Sequence, residues 1–495
     1  MPVPVIHLSC YTETLVNRIH STSESMMADP IAFTGEDRSN EIRESILRSE
    51  PKSFRTYTPT QLVIHQSAGL YHYTPEGRRL ADFTSGVLVT NLGHSPTRWL
   101  RLLRDYIGWT TDALSTTEPY VLAPPLTAYN AISTLEDQAN RRLLASLRQT
   151  PFGQNMQQVM WSASGSEGIQ KALWAALLHQ PNKNIILATR DGFHGKKGLA
   201  GAVTGNESSP ERDPRVRFIG FPKHECRDVS IRSEPINLEP YERELSDLIR
   251  QYPGQINALI TEPYLGGGGS YHPQLEYLQL LQRFCTEHRI TFILDEVQSN
   301  FGRTGSMYAF ETYQIAPDIV VLGKGMGNGI PVNAAVGRAD IFASLDYGYG
   351  SDTWSGHPLG CAATLATLDI FEQEGVMEHV RRVAPILEEG LVRLKQYPVV
   401  THIRGEGHVW GIELGDFAGH DASAVACAVV RSAYLGDAQG NAIHLLGPLA
   451  GKVIRISPPL TMTVDEARHW MGVLESIVAS LAVELDPGPL VASKR

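Results

Sequence analysis

Four short apolar runs in the middle of the chain are each followed by side chains that could do chemistry. Such runs predict strands of a parallel sheet that is covered on both faces. Because these sheets bind ligands beyond the C-terminal ends of their strands, we expect an aromatic ring, carboxylates and a lysine to share one crevice. The runs cover residues 185–188, 258–260, 290–294 and 319–322, and the segments after them are DGFHG (191–195), EP with four glycines (262–269), DEVQ (295–298) and GKG (323–325).

An anion site is predicted upstream, where the segment SGSE (164–167) precedes a stretch with an apolar stripe of helical spacing. Glycine and serine at a helix start expose backbone N–H groups and a hydroxyl, which suit a phosphate. An anion site, a lysine, a carboxylate and a stacking ring together predict pyridoxal phosphate. The lysine would form an imine, and the carboxylate would keep the pyridine nitrogen protonated. Taken singly, such a lysine is most often a surface residue, and such an aspartate a helix cap.

The elements that must position these groups alternate between strands and helices. The segment PQLEYLQLLQRFCTEH (273–288) places its apolar residues on one face of a helix between the second and third runs. The aromatic alternation at 71–83 predicts two strands around a turn, and RGEGHVWGIEL (404–414) predicts another strand or two. We therefore expect an α/β fold with a large sheet domain and a smaller α+β domain in the C-terminal third.

Composition excludes several classes of protein. The 495 residues carry a formal net charge of −10, which argues against a nucleic-acid or anionic-membrane surface. No stretch reaches the roughly 18 apolar residues of a membrane-spanning helix, and the N-terminus lacks the pattern of a secretory signal. The five cysteines are widely spaced and odd in number, which favours a reducing, cytoplasmic setting. His224 and Cys226 lack a second ligand pair, so no metal site is predicted.

Several motifs carry a resemblance to one enzyme family. The run LDEVQSNFGRTGSMYAFETYQIAPDIVVLGKGMGNGIPVNAAV (294–336) resembles the signature of class III, ornithine/4-aminobutyrate-type, pyridoxal-phosphate aminotransferases. This resemblance spans about residues 55–485. It implies the type I fold of pyridoxal-phosphate-dependent transferases: a large doubly wound, mainly parallel sheet domain plus a small α+β domain. The other motifs follow in the family's order: SASGSEG (162–168), GFHG (192–195), TWSGHP (353–358) and VIRISPPL (453–460).

We expect five parts along the chain. Residues 1–52 are predicted to form a partly disordered N-terminal arm, and residues 53–96 the N-terminal part of the small domain. Residues 97–345 are expected to form the large cofactor-binding domain. The C-terminal part of the small domain then covers 346–487, and 488–495 is a tail.

The resemblance also implies roles for individual residues. Lys324 is implied to be the catalytic Schiff-base lysine, which moves a proton between substrate and cofactor. Asp295, the second catalytic residue, would pair with the pyridine nitrogen. The other cofactor-binding residues implied are Gly165 and Ser166 for the phosphate, Phe193 and Val297 for the two ring faces, Gln298 for the ring hydroxyl, and His194 and Glu262 beside them.

Substrate and partner are implied in the same way. Arg455 matches a family arginine that grips a substrate α-carboxylate, for which a guanidinium is suited. In the ornithine and 4-aminobutyrate enzymes a glutamate pairs with that arginine, but the matching position here is Gly267, which favours α-carboxylate substrates. Thr353 matches a threonine that reaches the phosphate from the partner subunit. A homodimer with shared active sites and small amino-acid and oxo-acid substrates is therefore implied.

Other reactions of the same cofactor stay open at this point. The segment FTSGV (83–87) and the glycines after Glu262 are similar to dialkylglycine decarboxylase, a decarboxylation-dependent transaminase. That enzyme has glutamine at the position of Val87, a candidate substrate-binding residue, and tryptophan at that of Phe193. The predicted function is a pyridoxal-phosphate-dependent aminotransferase that moves an amino group between an amino acid or amine and an oxo acid. Decarboxylation-dependent transamination, racemisation and a catalytically silent homologue are the alternatives.

Overall fold

The structure is a computed structural model that describes residues 31–209 and 212–486, and the described residues form three sheets. The strands are β1 Gln66–Ala68, β2 Tyr71–Tyr73, β3 Arg79–Asp82, β4 Gln158–Ser162, β5 Ile185–Thr189, β6 Val216–Ile219, β7 Ile256–Thr261, β8 Thr291–Asp295, β9 Ile319–Leu322, β10 Asn333–Gly337, β11 Val400–Glu406, β12 Val409–Leu414, β13 Ala442–His444 and β14 Val453–Ile456. The first sheet has the strand order β1-β2-β3-β13 and the second the order β4-β10-β9-β8-β7-β5-β6. The third sheet has the order β11-β12-β14.

The seven-stranded sheet contains all four strands predicted from the apolar runs, so these predictions are confirmed. The strands β6, β5, β7, β8 and β9 pair in parallel with one another in that order, whereas β10 runs antiparallel to both β4 and β9. Every residue of β5, β7, β8 and β9 is buried. A parallel strand covered on both faces has no polar side, which explains why these runs are apolar throughout.

Helices cover this sheet and complete the smaller sheets. The predicted helix at 273–288 is confirmed as α9. The α-helices of the described residues are α1 Asp37–Ser49, α2 Ser85–Leu88, α3 Thr97–Tyr106, α4 Thr111–Leu114, α5 Thr134–Leu147, α6 Gly165–His179, α7 Gly198–Ala202, α8 Glu239–Gln251, α9 Leu275–His288, α10 Ala309–Thr312, α11 Ala339–Phe342, α12 Pro358–Gln373, α13 Val376–Arg393, α14 Ala422–Leu435 and α15 Val464–Leu485.

The two faces of the large sheet carry separate cores. Ile293 of β8 packs on one face with helices α6, α7 and α11, whereas its neighbours Phe292 and Leu294 pack on the other face with α5, α9 and α12. Successive side chains of a strand point to opposite faces, so one apolar run serves both layers. The arrangement is a doubly wound α/β sheet of the type I kind, as expected.

A further core lies between the two small sheets and the C-terminal helices. It includes Phe83, Trp410 and Ile454 from the strands and Leu387 and Trp470 from helices α13 and α15. The strand pair β2–β3 confirms the hairpin predicted at 71–83, and β11–β12 confirms the strands predicted at 404–414. Helix α12 packs in the core of the large sheet, although it follows residue 345. The domain limits proposed from sequence stay predictions.

Part of the predicted N-terminal arm is ordered against the small sheets. In helix α1, Arg43 is buried and bonds Glu36 at 2.7 Å and the hydroxyl of Tyr434 at 3.0 Å. Residues 1–30 of that arm and the predicted tail 488–495 lie outside the described residues. Within the described residues, no helix is long and apolar enough to cross a membrane.

Candidate active site

A cavity of about 400 Å³ lies beyond the C-terminal ends of strands β4, β5, β7, β8 and β9. Because these strands are mutually parallel or connected through β10, their C-terminal ends meet at one edge of the sheet, where ligands of α/β folds bind. Nine of the residues singled out from the sequence line this cavity: Gly165, Ser166, Phe193, His194, Glu262, Asp295, Val297, Gln298 and Lys324.

Four other predicted residues lie outside the lining of this cavity. Gly267 is adjacent, since a Cβ built on it would lie 3.1 Å from Cβ of Phe193. Arg455 is buried and reaches the cavity through its bond to Gln298. Val87 is 38% exposed, and Thr353 is exposed on the loop before α12.

The segment that carries Val87 has an unusual backbone. Ser85, Gly86, Val87 and Leu88 all have positive φ, between 48° and 66°, so α2 is a left-handed turn. Left-handed backbone costs about 1–2 kcal/mol for each residue with a Cβ and persists where surrounding structure holds it, often at functional sites. The N–H of Gly86 donates to the hydroxyl of Thr84 at 3.1 Å, which caps the turn.

The N-terminus of α6 forms one wall of the cavity. A capping box joins Ser164 and Glu167: the Ser164 hydroxyl accepts from the Glu167 N–H, and the Glu167 carboxylate accepts from Ser164 and Ala163. The first N–H groups of a helix have no intrahelical acceptor. The capping box does not use those of Gly165 and Ser166, so these two are available to an anion on the positive end of the helix dipole.

Asp295 and His194 form a buried pair in the cavity. Asp295 is the last residue of β8, and its Oδ2 accepts a hydrogen bond from Nδ1 of His194 at 2.8 Å. Its Oδ1 accepts from the N–H of Val297 at 3.0 Å, which orients the carboxylate. Nε2 of His194 is buried and has no hydrogen-bond partner among the described residues. A Cβ built on Gly192 would lie 3.0 Å from this nitrogen, so Nε2 lies on the side of the ring away from Asp295.

Glu262 is a second buried carboxyl at this edge. Its two oxygens accept hydrogen bonds from the N–H groups of Phe193 at 2.9 Å and Gly266 at 3.2 Å. Burial raises the pKa of Glu262 to about 7, with the Asp295 charge also acting upward and His194 acting downward. The carboxyl therefore ties the loop after β5 to the loop after β7 and titrates near neutral pH.

Lys324 lines the same cavity from the short helix Lys324–Met326 that follows β9. Burial lowers the pKa of Lys324 to about 7, and the positive charge of Arg455 acts in the same direction. The carboxylates of Asp295 and Glu262 raise it but do not compensate. A large fraction of the amine is therefore unprotonated at neutral pH, which a nucleophile or proton acceptor requires.

Gln298 makes a contact that the sequence did not predict. The resemblance implies a role at the ring hydroxyl of a cofactor, but Oε1 of Gln298 accepts a hydrogen bond from Arg455 at 3.1 Å. Burial lowers the pKa of Arg455, and its Nε has no hydrogen-bond partner. Its described hydrogen-bond partner is the neutral amide of Gln298, and the carboxylate of Glu262 acts on it through its charge alone. A buried cation with only a neutral partner is costly and suits an anionic ligand.

Sequence reasoning missed some of the lining. Asn333 is buried, and its Oδ1 accepts from the hydroxyl of Ser162 at 3.1 Å while its Nδ2 has no partner. It begins β10, and because β10 is antiparallel to its neighbours, its first residue lies at the edge where the other strands end. Inspection of strand ends alone could not find it. Val89 was also missed, whereas Ala163, Ser164, Gly195 and Gly329 to Val332 line the cavity from the predicted motifs without having been given individual roles.

The two residues weighed as a weak metal motif do not come together as ligands. The thiol of Cys226 is buried and donates to the carbonyl of Pro222 at 2.9 Å, whereas both ring nitrogens of His224 lie near Arg227. Both side chains therefore contact residues close to them in the chain.

Comparison with known proteins agrees with the geometry of this site. The family model described as "Aminotransferase class-III" matches residues 53–478. The chain is 32% identical over 440 residues to acetylornithine aminotransferase of Agrobacterium fabrum, covering 87% of this chain and 97% of that protein. It is 26% identical over 413 residues to a probable 4-aminobutyrate aminotransferase of Bacillus subtilis, covering 82% and 90%.

Solved structures show the same fold. An amine transaminase from an uncultivated Pseudomonas species, solved with pyridoxal phosphate bound, superposes with a TM-score of 0.70 at 26% identity and covers 88% of this chain and 97% of that chain. Ornithine aminotransferase of Toxoplasma gondii superposes with a TM-score of 0.73 at 22% identity and covers 94% and 100%. These matches favour an aminotransferase over the decarboxylase and racemase alternatives. The chain belongs to the class III aminotransferase family.

Proposed function

We propose that this enzyme uses pyridoxal 5'-phosphate to move an amino group from an α-carboxylate donor to an oxo acid, as a homodimer with shared sites. The observation that carries the proposal is the convergence of Lys324, the Asp295–His194 pair and the N-terminus of α6 on one cavity. When bound, the cofactor would supply an aldehyde carbon that combines with amines and a pyridine ring that accepts electrons.

The residues of the cavity fit this cofactor. Gly165 and Ser166 offer backbone N–H groups for its phosphate, and Asp295 offers a carboxylate for a protonated ring nitrogen. The hydrogen bonds from Nδ1 of His194 and the N–H of Val297 fix the orientation of that carboxylate, and Lys324 lines the same cavity, so the donor set suits a cationic ring with an aldehyde. Phe193, Val297, Gln298 and Glu262 complete the proposed ring site, and a volume of about 400 Å³ lies within the range of small-molecule sites.

Lys324 is the proposed base and nucleophile. With its pKa lowered to about 7, its Nζ can take a proton at neutral pH and return it without a large free-energy change in either direction. His194 and the Val297 N–H both donate to the carboxylate of Asp295, which fixes its orientation. The two groups therefore serve different tasks at one cavity.

Arg455 is the proposed substrate anchor. It is buried, it has a neutral partner in Gln298, and the position from which family members supply a neutralising glutamate is Gly267. A substrate α-carboxylate would satisfy this guanidinium with two parallel hydrogen bonds.

Exposed apolar side chains support the proposed homodimer. Thr353 lies on the surface next to Trp354, which is 56% exposed. Single exposed apolar residues are common, but a concentration of them marks an interaction surface. Two segments concentrate them here: residues 109–132, with Trp109, Leu114, Tyr120, Leu122, Leu126, Tyr129 and Ile132, and residues 347–354, with Tyr347, Tyr349 and Trp354.

A cytoplasmic location is part of the proposal. The described cysteines, Cys226, Cys285, Cys361 and Cys427, are all free thiols. Free thiols persist in reducing compartments, whereas oxidising ones favour disulfides.

The cofactor assignment is tested by chemical trapping. Protein purified with pyridoxal phosphate is reduced with borohydride, digested and analysed by mass spectrometry. We expect the cofactor on Lys324, and no label in Lys324→Ala. Lys183→Ala is the matched control, since Lys183 contacts only the carbonyls at the end of α9. A label on another lysine, or none in the wild type, would refute the assignment.

The substrate assignment is tested with a panel of donors scored by the change in the cofactor absorption spectrum. We expect alanine and ornithine, which carry an amine and a carboxylate on one carbon, to react, and 4-aminobutyrate and 5-aminovalerate, whose amine lies several carbons from the carboxylate, to react at least about tenfold more slowly. Faster reaction with 4-aminobutyrate would contradict the role of Arg455. Release of carbon dioxide from 2-aminoisobutyrate would instead support the decarboxylase alternative.

Shared sites are tested by mixing two inactive variants. A hybrid of Lys324→Ala and Thr353→Ala chains has one site with both defects and one with neither, provided that Thr353 serves the partner's site. We therefore expect the mixture to regain activity that neither variant has alone. A mixture no more active than the average of its parts would exclude the shared arrangement.

A further inference from the structure

Three imidazoles and one carboxylate meet on one face of the sheet β1-β2-β3-β13, outside the candidate active site. His72 of β2 pairs with Leu80 of β3, and His444 of β13 pairs with Asp82 of β3. Leu80 and Asp82 are two apart in one strand, so their side chains share a face, and paired residues of neighbouring strands also share a face. The register therefore places His72, Asp82 and His444 side by side.

His94 joins this cluster from the loop that follows α2. Two backbone hydrogen bonds of 2.8 and 2.9 Å hold it against Gly69. Its Nε2 lies 2.7 Å from Oδ2 of Asp82, and Nε2 of His72 lies 3.4 Å from the same oxygen. One ligand atom from each of His72, Asp82 and His94 lies within 4.8 Å of the others.

The outer atoms of these side chains are also held in place. The hydroxyl of Ser67 lies 2.7 Å from Nδ1 of His72, which leaves Nε2 of that ring facing the cluster. The N–H of Thr84 donates to Oδ1 of Asp82 at 2.8 Å, which leaves Oδ2 facing inward. Metal-binding histidines and carboxylates typically have such partners on the side away from the ion.

His444 gives the independent observation that a ligand is absent from the hydrogen-bond network. Its Nδ1 is shielded from solvent and has no hydrogen-bond partner, and its ring lies edge-on to that of His72 with 5.6 Å between centroids. A cluster held by hydrogen bonds alone would leave this buried nitrogen unsatisfied.

We propose that His72, Asp82 and His94 bind one divalent transition-metal ion of the zinc class, and that His444, whose nitrogens lie outside the 4.8 Å set, becomes the fourth donor when its ring turns toward the ion. Nitrogen and carboxylate donors in a tetrahedral set suit Zn²⁺. With metal–ligand bonds of about 2.0–2.1 Å, the donors of a tetrahedron lie about 3.3 Å apart. The 3.4 Å separation of His72 and Asp82 matches this, and the 2.7 Å hydrogen bond of His94 must lengthen when its proton is displaced.

Such an ion would join strands β2, β3 and β13 at the start of the segment that leads into the left-handed turn at Val87. His94 and its loop, on the other side of that turn, would be tied to the same point. The ion therefore has a structural role in holding the small sheet and the turn, separate from amino-group transfer.

Metal binding is tested on untagged holoenzyme from which metals have been removed with a chelator. We expect one equivalent of Co²⁺ per chain to bind and to give the visible absorption of tetrahedral cobalt, and Zn²⁺ to displace it and raise the thermal midpoint. Absence of saturable binding, or cobalt absorption typical of an octahedral surface site, would overturn the proposal.

Variants locate the binding to this cluster. His72→Gln should abolish the cobalt spectrum, and His444→Gln should weaken binding by at least the roughly tenfold that is typical for loss of an outer-shell partner. His65→Gln is the matched control, because His65 is exposed just before the same sheet. An unchanged spectrum in His72→Gln would refute the site. If that variant does not fold, His444→Gln decides, since its Nδ1 has no hydrogen bond to lose.

Discussion

Two buried aspartates in this protein each accept a short hydrogen bond from an imidazole. Asp295 bonds His194 at 2.8 Å at the edge of the large sheet, and Asp82 bonds His94 at 2.7 Å in the small sheet. The first pair faces a cavity of about 400 Å³, whereas Oδ2 of Asp82 is enclosed by the rings of His94 and His72. Nearly identical pairs are thus placed in different surroundings.

The difference shows that access, rather than the residue pair, separates a reactive site from a structural one. Burial alone would raise the pKa of Asp82, but hydrogen bonds from His72 and His94 hold it well below its usual range. The carboxylate of Asp82 is therefore ionised and interacts with both His72 and His94. Asp295 has an open side toward Lys324, so a ligand with a protonated nitrogen can reach it.

The largest expected effect comes from the pair at the cavity. Asp295→Asn keeps the size of the side chain and the acceptor for the Val297 N–H, but removes the charge that the cofactor ring requires. We expect kcat/KM to fall about 10³-fold, comparable to removal of a key electrostatic group in other enzymes. Kinetics with a saturating acceptor measures this, and a loss of less than about tenfold would show that Asp295 is not essential to the chemistry.

The corresponding change in the small sheet should act on stability instead. Asp82→Asn leaves an acceptor for the Thr84 N–H but breaks a buried charge interaction with His72 and His94. We expect the free energy of unfolding of metal-free protein to fall by about 4 kcal/mol. Urea unfolding measures this, and turnover per folded molecule should stay within about twofold of the wild type. Full stability combined with lost turnover would reverse the comparison.

A third test concerns the pH dependence that a buried carboxyl imposes. Burial raises the pKa of Glu262 to about 7, above the value of about 4.3 for an unfolded chain. The folded protein keeps a proton that the unfolded chain releases between these values, so this group lowers stability as pH rises from about 4.5 to about 7. In Glu262→Gln, the fall in the free energy of unfolding over this pH range should be smaller by about 3 kcal/mol.

Unfolding of cofactor-free protein at pH 4.5 and pH 8 measures the difference between Glu262→Gln and the wild type. The loss of one backbone hydrogen bond in the variant appears equally at both pH values and cancels. Glu287→Gln serves as a control, since Glu287 is exposed on α9. The same difference at both pH values would contradict the raised pKa.

The smallest effect extends the comparison to two buried arginines. Arg404 bonds Glu413 at 2.6 Å, whereas Arg455 has only the neutral Gln298. Arg455→Lys should raise KM for α-carboxylate donors about tenfold, because bidentate geometry is lost, with kcat within about threefold. Arg404→Lys should leave KM unchanged and lower the thermal midpoint. Equal KM values in both variants would remove Arg455 from substrate binding.

Local sequence pattern predicted the elements of the fold well. Strands β5, β7, β8 and β9 and helix α9 were recognisable because burial on two faces, or on one helix stripe, leaves a periodic record in the chain. Asp295 and Lys324 were recognisable because they directly follow such strands. The left-handed turn at residues 85–88 was not, because three of its four residues disfavour that backbone on their own.

Contacts between segments distant in the chain could not be predicted from the sequence. The bond between Gln298 and Arg455 joins residues 157 apart, and His72 meets His444 only through the register of β2, β3 and β13. Asn333 reaches the cavity because its strand runs opposite to its neighbours. Each of these contacts depends on strand order and direction, which local propensity does not determine.

The amino-acid sequence by itself determined the class of fold, the family motifs and the chemical groups at the strand ends, since these depend on residue type and short-range periodicity. The tertiary structure alone decided which of two similar Asp–His pairs faces a cavity and which is enclosed. It also decided that Arg455 lies buried beside an amide rather than a carboxylate. The physical reason is that burial, and with it the pKa and ligand affinity of a group, is set by neighbours that the chain brings together only on folding.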